Sequence, residues 1–274
     1  MDLKFLQLSP LVFKNDPIPF VKNEMNKACL SELPVIDKES LIGTITARSI
    51  INFLRRSLGN VESLVAHHLL EKDFICVDTS FNFAQLAEEF IRVKRAIACV
   101  VEGNVFLGYI PRKRLLELLF KRKESIRPFV TKNYEKIRGD YGIKKIVESL
   151  RKELPILVYD EKPLGAFSPE ELYFLIFIND FLLKKFERDF ETLRAEERKF
   201  LRSRLDQQLL SVKKKELDSF LPPFKISDIA RPLVADESFS VGEVAKIMVK
   251  NKRSCLAVSP RGVITDLDLL KVLL

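Results

Sequence analysis

The architecture of this chain is predicted from its last stretch, Cys255-Leu-Ala-Val-Ser-Pro-Arg-Gly-Val-Ile-Thr-Asp-Leu-Asp-Leu-Leu270. Two short apolar segments flank a turn in which Pro260 and Gly262 favour a tight reversal of the chain. A helix is predicted to begin at Thr265, whose hydroxyl can accept a hydrogen bond from a free backbone N–H. Asp268 lies three residues later, where a capping box places its acid. The stretch therefore predicts a pair of strands followed by a capped helix.

The same pattern recurs three times upstream. The glycine of the pattern is Gly43, Gly108, Gly165 and Gly262 in the four copies, and the last interval is the longest. Each copy predicts a strand, a helix, two strands and a second helix. A unit of this size is too small to bury its own sheet face, so each copy should pair with a neighbour. We therefore predict an α+β fold of four β-α-β-β-α units in two modules.

A long helical insertion is predicted between copies three and four, because no Gly or Pro occurs between Pro169 and Pro222. Apolar residues recur in this segment at steps of three and four, and charges of both signs lie between them. One interpretation is a solvent-exposed helix whose single apolar face packs against a neighbouring element. The other is a dimerisation hairpin or coiled coil, which needs a partner for that face.

The composition is that of a soluble, folded protein, with 274 residues, 47% apolar and 31% charged. The formal net charge of +8 permits binding of a nucleotide, a nucleic acid or a lipid headgroup, and it does not choose among them. The longest apolar run, Leu172–Ile178, is far too short to span a membrane. The first residues lack the layout of a signal peptide. We therefore expect a cytoplasmic protein.

The cysteines and histidines do not indicate a metal site or a disulfide framework. Cys29, Cys76, Cys99 and Cys255 are scattered in apolar surroundings and are interpreted as buried, reduced thiols. The adjacent pair His67-His68 should point in different directions on a helix, so no metal is expected there.

Arrangements typical of catalysis are lacking in the sequence. No Ser-His-Asp set, Cys-His pair, paired carboxylates or phosphate-binding glycine loop is convincing, so we expect the chain not to be an enzyme. Basic clusters such as 112–114, 121–123 and 213–215 do not form a continuous stripe, which makes nucleic acid an unexpected partner.

The repeated units resemble the cystathionine β-synthase (CBS) domain family. The matching residues are Leu33-Pro-Val-Ile-Asp37 and Gly43-Thr-Ile-Thr-Ala-Arg-Ser-Ile50 in copy one. In copy four they are Val241-Gly-Glu-Val-Ala-Lys-Ile-Met248 and the stretch from Cys255 onward, whereas copies two and three match in pattern more than in identity. The predicted CBS repeats are 1–60, 61–125, 126–178 and 223–274, with the helical insertion at 179–222.

This resemblance implies two Bateman modules, each made of two CBS copies that meet sheet to sheet. It also implies an adenosine-type ligand (AMP, ADP, ATP or S-adenosylmethionine) in the clefts between copies, with no other cofactor required. In the family a Thr or Ser holds phosphate and an Asp three residues later holds ribose. This is physically reasonable, because a helix N-terminus attracts phosphate and a carboxylate accepts hydrogen bonds from ribose hydroxyls.

The family pattern is most complete in the second module. Copy four has both groups, Thr265 and Asp268, and copy three has Ser168 with the longer Glu171 in place of the Asp. Each pair is also a capping box on its own merits, so a purely structural role is the alternative. The module of copies three and four is the expected binding site.

The first module departs from the pattern. Copy one keeps Thr46 but has Ser49 where the acid should be. Copy two has Pro111 in place of the hydroxyl and Arg114 in place of the acid, which makes a ribose site doubtful there. The basic residues 112–114 could instead face a phosphate bound by copy one.

Three functional hypotheses follow. The first is a stand-alone regulatory module that senses an adenosyl ligand and signals to a protein partner whose identity the sequence does not reveal, with a homodimer expected. The second is a structural scaffold that uses the helical insertion for oligomerisation. The third is a nucleic-acid binder driven by the positive charge.

Overall fold

The described residues of the structure, a computed structural model, are 3–56, 63–103, 105–179, 182–183, 225–228, 233–260 and 262–274. The predicted helical insertion at 179–222 lies almost entirely outside them. Within the described residues, no helix has the length and apolar character needed to cross a membrane.

Twelve strands in the described residues form four separate three-stranded sheets. The strands are β1 Val12–Phe13, β2 Glu32–Asp37, β3 Ser40–Thr46, β4 Ile75–Asp78, β5 Ile97–Glu102, β6 Val105–Pro111, β7 Glu135–Arg138, β8 Ile156–Tyr159, β9 Pro163–Phe167, β10 Val234–Asp236, β11 Cys255–Ser259 and β12 Gly262–Thr265. In every sheet the first two strands are parallel and the last two antiparallel, because a helix connects the first pair and a tight turn the second.

Each sheet carries one helix between its parallel strands and one after its last strand. The helices are α1 Ile18–Ala28, α2 Ala47–Arg56, α3 Phe83–Val93, α4 Arg112–Leu115, α5 Ile143–Leu150, α6 Pro169–Ile178, α7 Val241–Lys250 and α8 Asp266–Leu270. The α+β fold of four β-α-β-β-α units is thereby confirmed. The helices α2, α4, α6 and α8 follow the last strand of their sheets directly, so their N-termini occupy equivalent positions in the four copies.

The segment that leads into one copy crosses to the sheet of its neighbour. Glu71, which leads into copy two, forms a backbone bridge with Thr44 of copy one, and Gln7 forms the reciprocal bridge with Tyr109 of copy two. The repeated glycine is required at this crossing. A Cβ on Gly43, which has a φ of +154°, would lie 2.6 Å from the carbonyl oxygen of Glu71. Copies one and two therefore form one interlocked module.

The second module is held in a similar way. Thr131, which precedes the first strand of copy three, forms a backbone bridge with Val263 of copy four. The sheets of copies three and four also share a small apolar interface, made of Leu157, Ala166, Cys255, Ala257 and Val263. This pairing of consecutive copies matches the modules that the resemblance implied.

The two modules pack through helices, and the two large cores join copies that are not consecutive in sequence. Ile50 of copy one and Phe177 of copy three belong to one core, where α2 packs on α6. Phe90 of copy two and Met248 of copy four belong to the other. The four first helical turns of α2, α4, α6 and α8 consequently lie near one another at the centre of the molecule.

The cysteines differ from the sequence prediction. Cys99 and Cys255 are buried, as predicted, but Cys29 is only half-buried and Cys76 is exposed. Cys76 lies on the edge strand β4, whose residues alternate between buried and exposed, so an apolar neighbourhood in sequence did not place it inside.

Candidate functional site

Copy four places Thr265 and Asp268 in a complete capping box at the start of α8. The Thr265 hydroxyl donates to Asp268 Oδ2 at 2.7 Å and accepts from the Asp268 backbone N–H at 3.2 Å. The Thr265 backbone N–H also donates to Asp268 Oδ2, at 3.1 Å. Lys271 Nζ lies 2.7 Å from Asp268 Oδ1. The pair is thus organised for capping, and Asp268 Oδ1 retains capacity for a further donor.

Copy three separates its two predicted residues. The Ser168 hydroxyl caps α6 by accepting from the Glu171 backbone N–H at 3.2 Å, and it shares a 2.7 Å hydrogen bond with the hydroxyl of Ser254. The Glu171 carboxylate faces Arg253, with Oε1 2.6 Å from Arg253 Nε, and its Oε2 accepts from the Ser254 hydroxyl at 3.3 Å, so Ser254 contacts both Ser168 and Glu171. Burial raises the pKa of Glu171, and the Arg253 guanidinium opposes that shift.

Copy one uses its Thr46 in a network that the sequence did not indicate. The Thr46 hydroxyl donates to Glu71 Oε1 at 2.7 Å, and Glu71 is ion-paired with Arg95. Ser49, which stands where the family has an acid, completes the cap, because its hydroxyl accepts from the Thr46 backbone N–H at 3.3 Å while its own backbone N–H donates to the Thr46 hydroxyl at 2.9 Å. The carboxylate of Glu71 thus lies where an anion at the N-terminus of α2 would lie.

Copy two contributes Arg112, which lies between the modules. Its Nε donates to Asp266 Oδ2 at 2.9 Å and one of its terminal nitrogens to Glu170 Oε2 at 2.7 Å. Arg112 and Asp266 are 3% and 1% exposed, which makes this a buried ion pair. Burial by itself would lower the pKa of Arg112, but the two carboxylates outweigh it and hold the pKa above its ordinary value.

The three basic residues at the start of α4 do not act together. Arg112 binds carboxylates of copies three and four, and half-buried Arg114 pairs at 3.2 Å with Glu117, in the 3₁₀ helix that follows α4. Lys113 donates to the carbonyl oxygen of Lys252 at 3.0 Å. The expected set of three side chains around one phosphate is therefore not present.

Two cavities lie at the junction of the four copies. The larger, of about 660 Å³, is lined by Thr46, Ser168, Thr265 and Asp268, so it collects all but one of the predicted site residues. The second, of about 410 Å³, is lined by Glu171. Five residues line both cavities and form the wall between them: Ser31, Ala96, Arg112, Glu170 and Asp266.

Glu32 is a buried carboxyl group of the larger cavity whose pKa is raised. It is 2% exposed and accepts hydrogen bonds of 2.8 Å from the Thr44 hydroxyl and from the Ala96 backbone N–H. Burial raises the pKa of Glu32 to about 7, against the opposing charge of Arg95. This site residue was missed in the sequence because it opens an otherwise apolar strand.

One signal in the sequence would have found further lining residues. The residue directly before the middle strand of each copy lines a cavity in all four cases: Ser31, Ala96, Pro155 and Ser254. Equivalent positions of a repeat meet at the symmetric centre, so aligning the copies on their middle strands identifies these lining residues.

No group of His, Cys, Asp and Glu in the described part of the chain could hold a metal ion. The prediction that His67 and His68 point in different directions is wrong, because their rings contact each other with centroids 4.2 Å apart.

Comparison with known proteins agrees with this architecture. A family model of the CBS domain matches residues 9–56 and 226–274. A solved structure from Methanocaldococcus jannaschii, described as a proposed archaeal homologue of g-AMPK, is 17% identical, with a TM-score of 0.73, and the alignment covers 100% of this chain and 99% of that one. The crystal structure of an uncharacterized conserved protein from Pyrococcus horikoshii is 18% identical, with a TM-score of 0.58 and 98% of each chain covered.

No curated protein matches the sequence. The family model thus matches copies one and four as CBS domains, and copies two and three have the same three-stranded fold. The two solved structures share too little sequence identity to say more than that the fold is the same.

Proposed function

We propose that this chain is a regulatory CBS-domain protein and binds an adenosyl ligand, such as AMP, ADP, ATP or S-adenosylmethionine, in the larger cavity. The observation that supports the proposal is the convergence of Thr46, Ser168, Thr265 and Asp268, from three different copies, on a single cavity. Its volume of about 660 Å³ lies within the range of about 300–1,000 Å³ that is usual for small-molecule sites.

The side chains that the second module contributes to this cavity suit an adenosyl ligand better than those of the first module. The Asp268 carboxylate can accept hydrogen bonds from ribose hydroxyls, while Lys271 and the Ser168 hydroxyl can donate to phosphate. In the first module the Thr46 hydroxyl already donates to Glu71, whose negative charge disfavours a second anion there. The ligand would therefore sit against copies three and four.

A ligand in this position would touch both modules. Because all four copies line the cavity, a bound ligand would favour one relative arrangement of the modules. A protein partner would then respond to the arrangement of the modules that the ligand favours. We also expect the chain to act as a homodimer. Neither the partner nor the dimer is needed for ligand binding itself.

A thermal-shift screen with AMP, ADP, ATP and S-adenosylmethionine tests the proposal. A ligand present at about 100 times its Kd should stabilise the protein by about 2.7 kcal/mol. Thr265→Ala should abolish the shift. The matched control is Ser240→Ala, which removes the same kind of cap from α7 at a position that does not line either cavity.

Both variants should lose about 1 kcal/mol of stability through the lost cap, and only Thr265→Ala should lose the response to ligand. An absence of any shift at millimolar ligand, or an equal loss of response in both variants, would contradict the proposal.

A further inference from the structure

One position of the repeat has the same unusual backbone conformation in all four copies. Three residues before each middle strand, just after the helix that precedes that strand, φ is positive: 53° at Cys29, 57° at Lys94, 54° at Glu153 and 55° at Lys252. A residue other than glycine rarely adopts this left-handed conformation. Its recurrence indicates that the repeat itself fixes where these four side chains begin.

These four equivalent residues are divided between the two cavities. Lys94 and Glu153 line the larger cavity, whereas Cys29 and Lys252 line the second cavity, of about 410 Å³. Lys252 Nζ lies 3.2 Å from Cys29 Sγ, although 223 positions of sequence separate the two residues. Because Cys29 belongs to copy one and Lys252 to copy four, this contact crosses from the first module to the second.

Hydrogen bonds hold the backbone of both residues. The backbone N–H of Cys29 donates to the Asn26 carbonyl at 3.2 Å, and the Cys29 thiol lies 3.5 Å from the same oxygen. The backbone N–H of Lys252 donates to the Val249 carbonyl at 3.2 Å, and the Lys252 carbonyl accepts from Lys113 Nζ of copy two at 3.0 Å. The fold thus fixes the two backbones with their side chains within reach of each other.

The surroundings of Cys29 favour a reaction at its sulfur. The Lys252 ammonium stabilises the thiolate, which is the nucleophilic form of cysteine. Cys29 is half-buried at the edge of a cavity, so a small oxidant can reach it. Among the residues that the structure describes, no other cysteine lines either cavity. The nucleophile next to an oxidised Cys29 is therefore the amine of Lys252, and not a second thiol.

We propose that Cys29 and Lys252 form a reversible sulfenamide cross-link in the presence of a peroxide. In the first step the Cys29 thiolate attacks hydrogen peroxide, an S–O bond forms and the O–O bond breaks. The hydroxide that is released takes up a proton and leaves as water. The sulfur is thereby oxidised to a sulfenic acid, and the peroxide is reduced.

The second step forms the bond between the copies. The Lys252 ammonium releases a proton to solvent, and the nitrogen lone pair attacks the Cys29 sulfur. The S–N bond forms, the S–O bond breaks, and the hydroxyl group leaves as water with a proton from the nitrogen. One thiol, one amine and one hydrogen peroxide thus give one sulfenamide and two waters. A small thiol reverses the reaction by attacking the same sulfur and displacing the amine, and a second small thiol restores Cys29.

The cross-link gives the molecule a response to oxidation. It joins the two modules by a covalent bond and so holds them in one relative arrangement. It also restricts the unfolded chain between residues 29 and 252, which should raise the temperature of unfolding. The cross-link requires neither Thr265 nor Asp268, so it does not depend on the adenosyl ligand proposed above.

Peroxide treatment of the full chain, followed by alkylation, digestion and mass spectrometry without reductant, tests the proposal. A linked pair of peptides containing Cys29 and Lys252 should appear, lighter by two hydrogen atoms than the two peptides together. Dithiothreitol should remove the linked pair and restore the free thiol. The midpoint of thermal unfolding should rise on oxidation and return on reduction.

The variant Lys252→Arg separates the cross-link from the oxidation that precedes it. Arginine keeps a positive charge beside Cys29, but its guanidinium stays protonated and is a poor nucleophile. This variant should lose the linked peptides and the thermal shift, and Cys29 should accumulate as a sulfenic acid that dimedone traps. The matched control is Lys250→Arg, at an exposed lysine that lines neither cavity, and it should keep the link. Cys76→Ser, at the exposed cysteine, should also keep it.

Cys29→Ser keeps the test valid if Lys252→Arg does not fold, because it should likewise abolish the linked peptides and the thermal shift. Oxidation of Cys29 in the natural chain that gives only sulfenic or sulfinic acid, with no linked peptides, would overturn the proposal. A link that Lys252→Arg leaves in place, or a thermal shift that Cys29→Ser retains, would overturn it as well.

Discussion

Arg112 Nε donates a 2.9 Å hydrogen bond to Asp266 Oδ2, which joins copy two to copy four across 154 positions of sequence. The same guanidinium reaches Glu170 of copy three and the backbone carbonyl of Arg95. One buried side chain therefore contacts both modules and stands in the wall between the two cavities. Any substitution there should affect the assembly of the modules.

We expect Arg112→Met to destabilise the protein by about 3–5 kcal/mol, because it leaves the 1% exposed Asp266 charged and unpaired. The double variant Arg112→Met with Asp266→Asn should lose much less than the sum of the two single changes. Urea unfolding of the four proteins measures this coupling.

The control for this cycle is Arg114→Met, since Arg114 and Glu117 are 43% and 34% exposed in their side chains. Arg114→Met should lower the free energy of unfolding by no more than about 1 kcal/mol. Additive effects of Arg112→Met and Asp266→Asn would show that the two side chains do not stabilise each other.

Glu32 should make stability depend on pH. Because the pKa of Glu32 is raised from 4.5 to about 7, the folded state holds a proton that the unfolded state releases. The contribution of Glu32 to stability is complete below about pH 4.5 and is lost as the pH rises through 7. Across this window the loss is about 3 kcal/mol.

The variant Glu32→Gln cannot titrate, so its free energy of unfolding should rise relative to that of the natural chain between pH 4.5 and 8. Urea unfolding of both proteins at several pH values measures the difference. A difference that stays constant over the window would show that folding does not raise the pKa of Glu32.

Gly43→Ala should destabilise the first module. The new methyl group would lie 2.6 Å from the Glu71 carbonyl oxygen, in a backbone conformation with φ of +154°. Overpacking of this kind costs about 1–3 kcal/mol in addition to the strain. Gly103→Ala is the control, because a Cβ there, at φ of +60°, meets nothing within 4 Å.

Gly103→Ala should therefore cost only the conformational strain, about 1–2 kcal/mol. Thermal unfolding of both variants measures whether Gly43→Ala loses more stability than Gly103→Ala. Equal losses of stability would mean that the crossing segment at Glu71 yields easily to a methyl group.

The four thiols should differ in reactivity towards a disulfide reagent. Exposed Cys76 should react in the folded protein although burial of its sulfur raises its pKa, and half-buried Cys29 should also react there, because Lys252 Nζ lies 3.2 Å from its Sγ and favours the thiolate. Burial raises the pKa of Cys99 and of Cys255 well above the usual value, so both should react only after unfolding. Stopped-flow titration separates these two groups of thiols, and Cys76→Ser should remove one of the two thiols that react in the folded protein.

Part of the candidate site could be predicted because it is local. Thr265 and Asp268 form their capping box within four residues, and Ser168 caps its helix in the same way. A capping box is recorded in the spacing of polar residues. Aligning the repeats also predicted that α2, α4, α6 and α8 begin at equivalent positions. In the structure their N-termini meet at the larger cavity.

The rest could not be predicted, because it depends on contacts between distant residues. Glu71 reaches Thr46 only because the segment before copy two crosses to the sheet of copy one. Glu171 turns to Arg253, away from the cavity that Ser168 lines. The spacing of residues along the sequence does not indicate which side chain of another copy will contact a given residue.

The amino-acid sequence by itself determined the four-fold repetition, the α+β units and the caps, since each depends on hydrophobic periodicity and turn chemistry within a short window. The tertiary structure alone decided that Arg112 lies between the modules, that Glu171 and the other predicted site residues line different cavities, and which charges face each cavity. Burial and ion pairing are set by the packing of copies against one another, and that packing depends on residues far apart in the chain.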